Sequence, residues 1–410
     1  MRLRFLSGLL SVLLLAACGG QATSPTITPP PTITSASQIE VLATATLDSS
    51  TPSEPTAEPT QAAAEPSNEP ATPANADPNA LVDTSMLTGR IYFVDPLGFA
   101  INSIAATGGD LQTVYKEQGP VPLARLGIDP SLQYLSVFKG DFLHIYSLDF
   151  QELLRLPTSF EPIWSPNGDG KFALLKLTDM GEIFVDVYDL KSAKPENIVV
   201  STLGYRAAWL SDGSALVVHN GNQIGEASLT DGAFSPLGEL VEDENGSWVV
   251  DAILSHDDWI YFHGGQVNLL GASGNGMQWW VLLDGVPQVL SEIGGNGVTR
   301  AQLNAKREQL AYIDNFHVSA CLTAQVLSVQ NADFSSAALT PNLGPIADNT
   351  GQEIHGATWN PSGDWLTFAK GSYTCADSGP IYATPQVFVW NPTNQALQAF
   401  EYGSYPVWVK

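Results

Sequence analysis

The sequence predicts an all-β propeller behind a long non-globular leader, and three observations predict it. Similar strand-turn-strand segments recur: PIWSPNGDGKFALL (162–175), AAWLSDGSALVV (207–218) and ATWNPSGDWLTFA (357–369) each run from a Trp-bearing strand through a turn into a second strand. The apolar residue before each turn recurs at Ile128, Trp164, Trp209, Leu254, Leu303, Trp359 and Trp408. These positions lie roughly 36 to 56 residues apart, which suits a four-stranded blade. Apolar and polar residues alternate in FVDVYDL and VFVWN, the period-2 pattern of half-buried strands, whereas helical periodicity is absent from the body of the chain.

The first element is MRLRFLSGLLSVLLLAACGG, with Arg2 and Arg4 ahead of an apolar run from Phe5 to Ala17. At about 13 residues that run is too short to span a bilayer as a helix. Leu15-Ala16-Ala17-Cys18 resembles the lipobox of bacterial lipoprotein signal peptides. The resemblance implies that residues 1–17 are removed and that Cys18 carries the lipid that anchors the protein to a membrane, on its extracytoplasmic side. In such families an Asp after the Cys marks inner-membrane retention; Gly19 stands there instead.

Residues 18–86 read as a linker. TPSEPTAEPTQAAAEPSNEPATPANADP is built of Thr, Pro, Ser, Ala and Glu, and such a segment cannot bury enough apolar surface to offset its ordering entropy. As a polyproline tether it would reach on the order of 200 Å, and as a flexible coil about 45 Å.

Residues 87–410 form the propeller domain. Six of the repeated first strands have the rest of a blade directly after them, but the strand around Val407 and Trp408 does not. GRIYFVDPLGFAINSIAATGGDLQTVYKE (89–117) has the opposite defect, supplying later strands with no Trp strand before it. Pairing the two completes a seventh four-stranded blade and removes exposed edges. Seven blades, closed by that pairing, is the expectation, with six as the alternative.

WSPNGDGKFALL, WLSDGSALVV and WNPSGDWLTFA resemble the repeat of the TolB-like, or WD40-like, β-propellers, which are mostly bacterial and extracytoplasmic. IDPSLQYLSVF, ILSHDDWIYF and LNAKREQLAYI keep the shape and lose the Trp. Six blades are usual in that family, and its members serve as partner-binding domains, as gates on peptidases and as sugar- or peptide-handling enzymes.

Chemistry is sparser. Ser165, Asn167 and Asp169 mimic the start of a calcium loop, but Lys176 stands where the closing Glu belongs, so a Ca2+ site there is a weak alternative to a turn, and no other metal or cofactor is expected. Formal charge is −25, and no Lys or Arg occurs between Arg206 and Arg300, while Asp212, Glu226, Glu242, Asp243, Glu244, Asp251, Asp257, Asp258 and Asp284 do. Such a sector repels nucleic acid and either favours cations or a basic partner or is a solvated face that keeps the protein soluble. Cys321 and Cys375 are expected to form a disulfide from equivalent loops of adjacent blades in an oxidising compartment.

No nucleophile elbow, zinc-protease helix or phosphate-binding loop is present, and His144, His219, His256, His263, His317 and His355 are dispersed. The candidate binding residues are Glu242, Asp243, Glu244, His256, Asp257, Asp258, Trp279 and Trp280, the last two as a stacking platform if exposed or as inter-blade core if not. His263 joins His256, Asp257 and Asp258 in SHDDWIYFH (255–263) as a possible acid/base or ligand set. The expectation is a membrane-anchored binding or scaffolding module for a protein, peptide or glycan. A propeller lyase, lactonase or glycoside-active enzyme is the alternative, favoured if His, Asp and Glu side chains converge at one channel mouth.

Overall fold

The chain divides into two units, Met1–Pro70 and Ala71–Lys410. In the computed structural model the described residues are 87–192, 201–242, 247–257, 259–267, 277–291, 297–317, 322–344, 350–376 and 379–410. They form strands and turns, with no helix among them. The signal-peptide, lipid-anchor and linker expectations for residues 1–86 therefore lie outside the described residues.

The described chain opens with β1 (Arg90–Val94), β2 (Ala100–Ala105) and β3 (Gln112–Lys116). Antiparallel four-strand meanders follow: β4 (Leu123–Ile128), β5 (Tyr134–Lys139), β6 (Phe142–Ser147) and β7 (Glu152–Pro157); then β8 (Ile163–Trp164), β9 (Lys171–Leu177), β10 (Ile183–Asp189) and β11 (Thr202–Leu203). Next come β12 (Arg206–Trp209), β13 (Ala215–Asn220), β14 (Gln223–Ser228) and β15 (Phe234–Glu239), followed by β16 (Ser247–His256), β17 (Trp259–Val267), β18 (Gln278–Leu283) and β19 (Val286–Ser291). The remaining strands are β20 (Val298–Leu303), β21 (Gln309–His317), β22 (Thr323–Asn331), β23 (Thr350–Trp359), β24 (Leu366–Ala376), β25 (Gly379–Tyr382), β26 (Gln386–Trp390), β27 (Leu397–Tyr402) and β28 (Ser404–Val409).

The β20–β22 and β23–β27 groups are joined by one parallel bridge, Ala324 to Gln352, whereas all other strand pairs are antiparallel. β28 pairs with β1, aligning Arg90 with Val409, Ile91 with Trp408 and Tyr92 with Val407, so the last strand sits in one sheet with the first three.

The Trp-bearing positions close the first strand of each group, and local chemistry explains why. In three groups the residue after the repeated position folds its side chain over the turn: Asp129 accepts from the amides of Gln133 and Tyr134, Asn304 from Glu308 and Gln309, and Asn360 from Asp364 and Trp365. Such Asx-type bonds satisfy turn amides that no strand partner reaches. The indoles reach across to a neighbouring first strand: Trp209 Nε1 donates to the Ile163 carbonyl at 2.7 Å, and Trp359 Nε1 to that of Gln302 at 3.4 Å.

Apolar side chains fill the space between consecutive groups. Leu143 and Ile145 meet Phe172 and Leu174; Val185 and Val187 meet Trp209 and Leu216; Val217 and Ile224 meet Ile253 and Phe262. Further on, Trp279 and Val281 meet Leu310 and Tyr312; Ile313 and Leu327 meet Trp359 and Phe368. Ala369 and Val389 meet Ile91 and Trp408, and Val407 and Val94 meet Leu135 and Val137. Each fully buried side chain of this size contributes about 1.5–3 kcal/mol.

One expectation needs correction. Cys375 lies within β24, paired with Pro380 of the β24–β25 hairpin, and not in a loop, because β24 continues as far as Ala376 with β25 as its partner. It is disulfide-bonded; Cys18 and Cys321 both lie outside the described residues. The Ser165–Gly170 segment is a turn, in which the Asn167 side-chain amide donates across to the Asp212 carbonyl of the next group at 2.7 Å, and Asp169 accepts the Lys171 amide and faces its ammonium at 3.3 Å.

Candidate functional site

The turns that follow β12, β16 and β18 converge on a cleft of about 530 Å³. Its apolar surface comes from Leu210, Leu237, Ile260 and Leu282, and its carboxylates are Asp212, Glu226, Asp257 and Asp284. All belong to the β12–β15 and β16–β19 groups, so the stretch without Lys or Arg builds this cleft alone. A hydrogen bond from the Ser214 hydroxyl and another from its backbone amide hold the Asp212 carboxyl below the usual range, so it stays ionised. Asp257 is 74% exposed and stands 3.9 Å from the His256 ring. At the edge of the cleft Arg307 Nη2 donates to the Ser211 carbonyl at 2.6 Å.

A second constellation lies upstream of these turns, along or just before the first strands. Three residues before each repeated turn-preceding position stand Arg125, Glu161, Arg206, Asp251, Arg300, Gly356 and Tyr405. Several fall at β-bulges, where β4, β16, β23 and β28 shift register. Arg125 and Tyr405 both have φ 51°, and Gly356 has φ 69°. A bulge re-aims the side chain away from the ladder.

Contacts tie these positions together. Arg300 Nη2 meets Glu161 Oε1 at 2.6 Å, and its guanidinium stands 6.0 Å from the Tyr405 ring. Arg206 Nε donates to the Asp251 carbonyl at 3.2 Å, and Arg125 Nη1 to that of Ser159 at 2.7 Å. The Asp251 carboxylate is held by the His263 ring at 2.7 Å and by the Val298 amide at 2.7 Å. His355 stands edge-on to Tyr405 with centroids 5.3 Å apart, and its Nε2 is 3.3 Å from Glu353. Burial pushes the Tyr405 hydroxyl up against the opposing pull of Arg300 and Arg125, so it remains protonated.

The residues singled out in sequence fare unevenly. Asp257 lines the cleft, while His256 stands beside it in β16. Glu242 is exposed; Asp243, Glu244 and Asp258 lie outside the described residues. His263 does not join His256: it pairs with Ala252, whereas His256 pairs with Trp259, four positions away along the ladder or roughly 13 Å. Trp279 is fully buried, edge-on to Tyr312 at 5.5 Å, because its register on β18 points into the neighbouring group. Trp280 is half-buried, stacked on Phe262 at 6.2 Å, with its Nε1 donating to Gly264 at 2.9 Å. Trp279 offers no open face of the kind a stacking platform needs. Among the described residues no group of three or more His, Cys, Asp or Glu is arranged to hold a metal ion. Sequence reading missed the Arg125-to-Tyr405 register set, although counting three residues back from the repeated positions would have found it.

No protein-family model matches the chain. No curated protein matches it either. Among solved structures the chain is similar to TolB from Acinetobacter baumannii, at 14% identity and TM-score 0.44, over 78% of this chain and 66% of that one. It thus spans just under two thirds of that TolB chain. It is also similar to a putative TolB from Agrobacterium tumefaciens, at 13% identity and TM-score 0.39, over 77% of this chain and 91% of that one. A third similarity is to the β-propeller domain of the Trilobed protease from Pyrococcus furiosus, at 12% identity and TM-score 0.46, over 73% of this chain and 88% of that one. At these identities no ligand or activity carries over, and the β-propeller reading rests on the sheets and the apolar clusters between them.

Proposed function

We propose that the chain is a lipid-anchored, extracytoplasmic β-propeller of seven blades that serves as a binding module for a basic protein or peptide. The β1–β28 pairing and the succession of apolar clusters from one strand group to the next support a closed ring. Each group then supplies a blade, with the β22–β23 bridge as a minor link between two of them. The lipobox-like Leu15–Cys18 segment and the disulfide at Cys375 support an oxidising site outside the cytoplasm; Cys321 is the partner we assign to Cys375.

One observation carries the binding reading: the cleft between β12–β15 and β16–β19, with its apolar surface and four carboxylates. Apolar surface gives contact area, and the carboxylates select and steer a cationic partner. The enzyme alternative is less well supported, since the acid and base groups nearest the first strands are engaged with one another, as in His263–Asp251, His355–Glu353 and Arg300–Glu161.

The test uses residues 87–410 and a fluorescent oligolysine peptide. Affinity should fall as salt rises, and the triple variant Asp212→Asn, Asp257→Asn, Asp284→Asn should bind roughly tenfold more weakly. Equal binding by the triple variant would refute the cleft as the partner site.

A further inference from the structure

The Arg300–Glu161 pair joins groups that share no apolar cluster. β8–β11 packs against β4–β7 and β12–β15, whereas β20–β22 packs against β16–β19 and β23–β27. Its two members are held very differently. Arg300 belongs to a six-residue strand paired along β21. Glu161 sits in the irregular segment leading into β8, a strand of two residues with two pairing positions. Glu161 can therefore withdraw without dismantling a ladder, while Arg300 stays fixed. Both side chains reach solvent, at 28% and 43% exposure.

Removal of Glu161 would leave a local excess of positive charge in a protein that is otherwise strongly acidic. Asp251 is already committed to His263 and the Val298 amide, and Glu353 to His355. Arg125 and Arg206 bond to backbone carbonyls, which neutralise no charge. Tyr405, held in the left-handed region at the bulge of β28, sets its ring beside the Arg300 guanidinium. A non-Gly residue in that conformation is strained and persists where the surroundings impose it.

We propose that Arg300, beside the Tyr405 ring, is a binding subsite for a ligand carboxylate, and that Glu161 is its resident occupant, displaced when such a ligand arrives. The guanidinium fork matches a carboxylate in two parallel hydrogen bonds. The carboxylate could be that of a peptide C-terminus or of an acidic sugar. This subsite lies where the first strands begin, whereas the acidic cleft is built by the turns that follow them, so either assignment can fail without the other.

Calorimetric titration of the full chain in detergent tests it, with N-acetylglycine and galacturonate as probes and N-acetylglycinamide and galactose as neutral controls. Glu161→Gln removes the internal competitor and should tighten binding of at least one carboxylate probe about tenfold, with no change for the neutral pair. Binding of N-acetylglycine alone would assign a peptide source, and of galacturonate alone a sugar source. Arg300→Gln should abolish the gain when combined with Glu161→Gln. If that variant fails to fold, Arg300→Lys keeps the charge, loses the fork and should lose most of the affinity. Unchanged carboxylate affinity in Glu161→Gln, or equal affinity for the neutral controls, would overturn the proposal.

Discussion

His219 lies on β13, paired with Arg206 and only 4% exposed. Burial pushes its imidazole down to about 4 from the ordinary 6.5; a bond to the Gly221 backbone opposes this and the Arg206 charge adds to it. Between those two values the unfolded chain binds more protons than the folded one. The stability tied to this residue is therefore complete above about pH 6.5 and is lost as pH falls towards 4. The whole effect is about 3 kcal/mol. Denaturant unfolding of the wild type from pH 7 to pH 4.5 should show that decline, and His219→Phe should flatten it; equal slopes would disprove the assignment. In the sequence His219 is one of six scattered histidines. Its burial follows from the β12–β13 register, which composition does not reveal.

At the scale of elements, β28 carries the clearest consequence. Trp408 is fully buried among Ile91, Phe93 and Val389, and its Nε1 donates to the Thr88 carbonyl at 2.9 Å. Trp408→Ala should cost about 3–5 kcal/mol, read as a shift in the urea midpoint; an unshifted midpoint would show that β28 is peripheral. This strand was legible in the sequence because its Trp repeats with those upstream while its own followers are missing. The turns were legible too, since Asp129, Asn304 and Asn360 are residues whose side chains close turns. The bulges at Arg125, Asp251 and Tyr405 were not, because a bulge depends on the partner strand's register. Nor was the long reach of β24 and its hairpin with β25, which carries Cys375 out of the loop where the match between adjacent blades placed it.

At the scale of the molecule, the two candidate sites show what a linear reading leaves out. The acidic stretch from Arg206 to Arg300 was visible in the sequence, yet its convergence into one cleft requires two neighbouring strand groups to present their turns side by side. Arg300 and Glu161 are 139 residues apart and meet only because the groups that carry them are brought around to face each other. The attachment of the whole body is tested by Cys18→Ala, which should move the protein from the membrane fraction to the soluble fraction; continued sedimentation with membranes would rule out the lipid anchor. The pairing of β1 with β28 also governs the order of assembly. Thr88 and Trp408 are 320 residues apart, so the outer edge of β1 stays open until nearly every other strand has been synthesised. Contacts of such long sequence separation form late and slow the overall folding rate. During that interval β1 presents an unpaired ladder to any other extended chain nearby. The most aggregation-prone stage therefore falls after most of the sheets have formed, and a chaperone that shielded that single edge would protect the whole molecule.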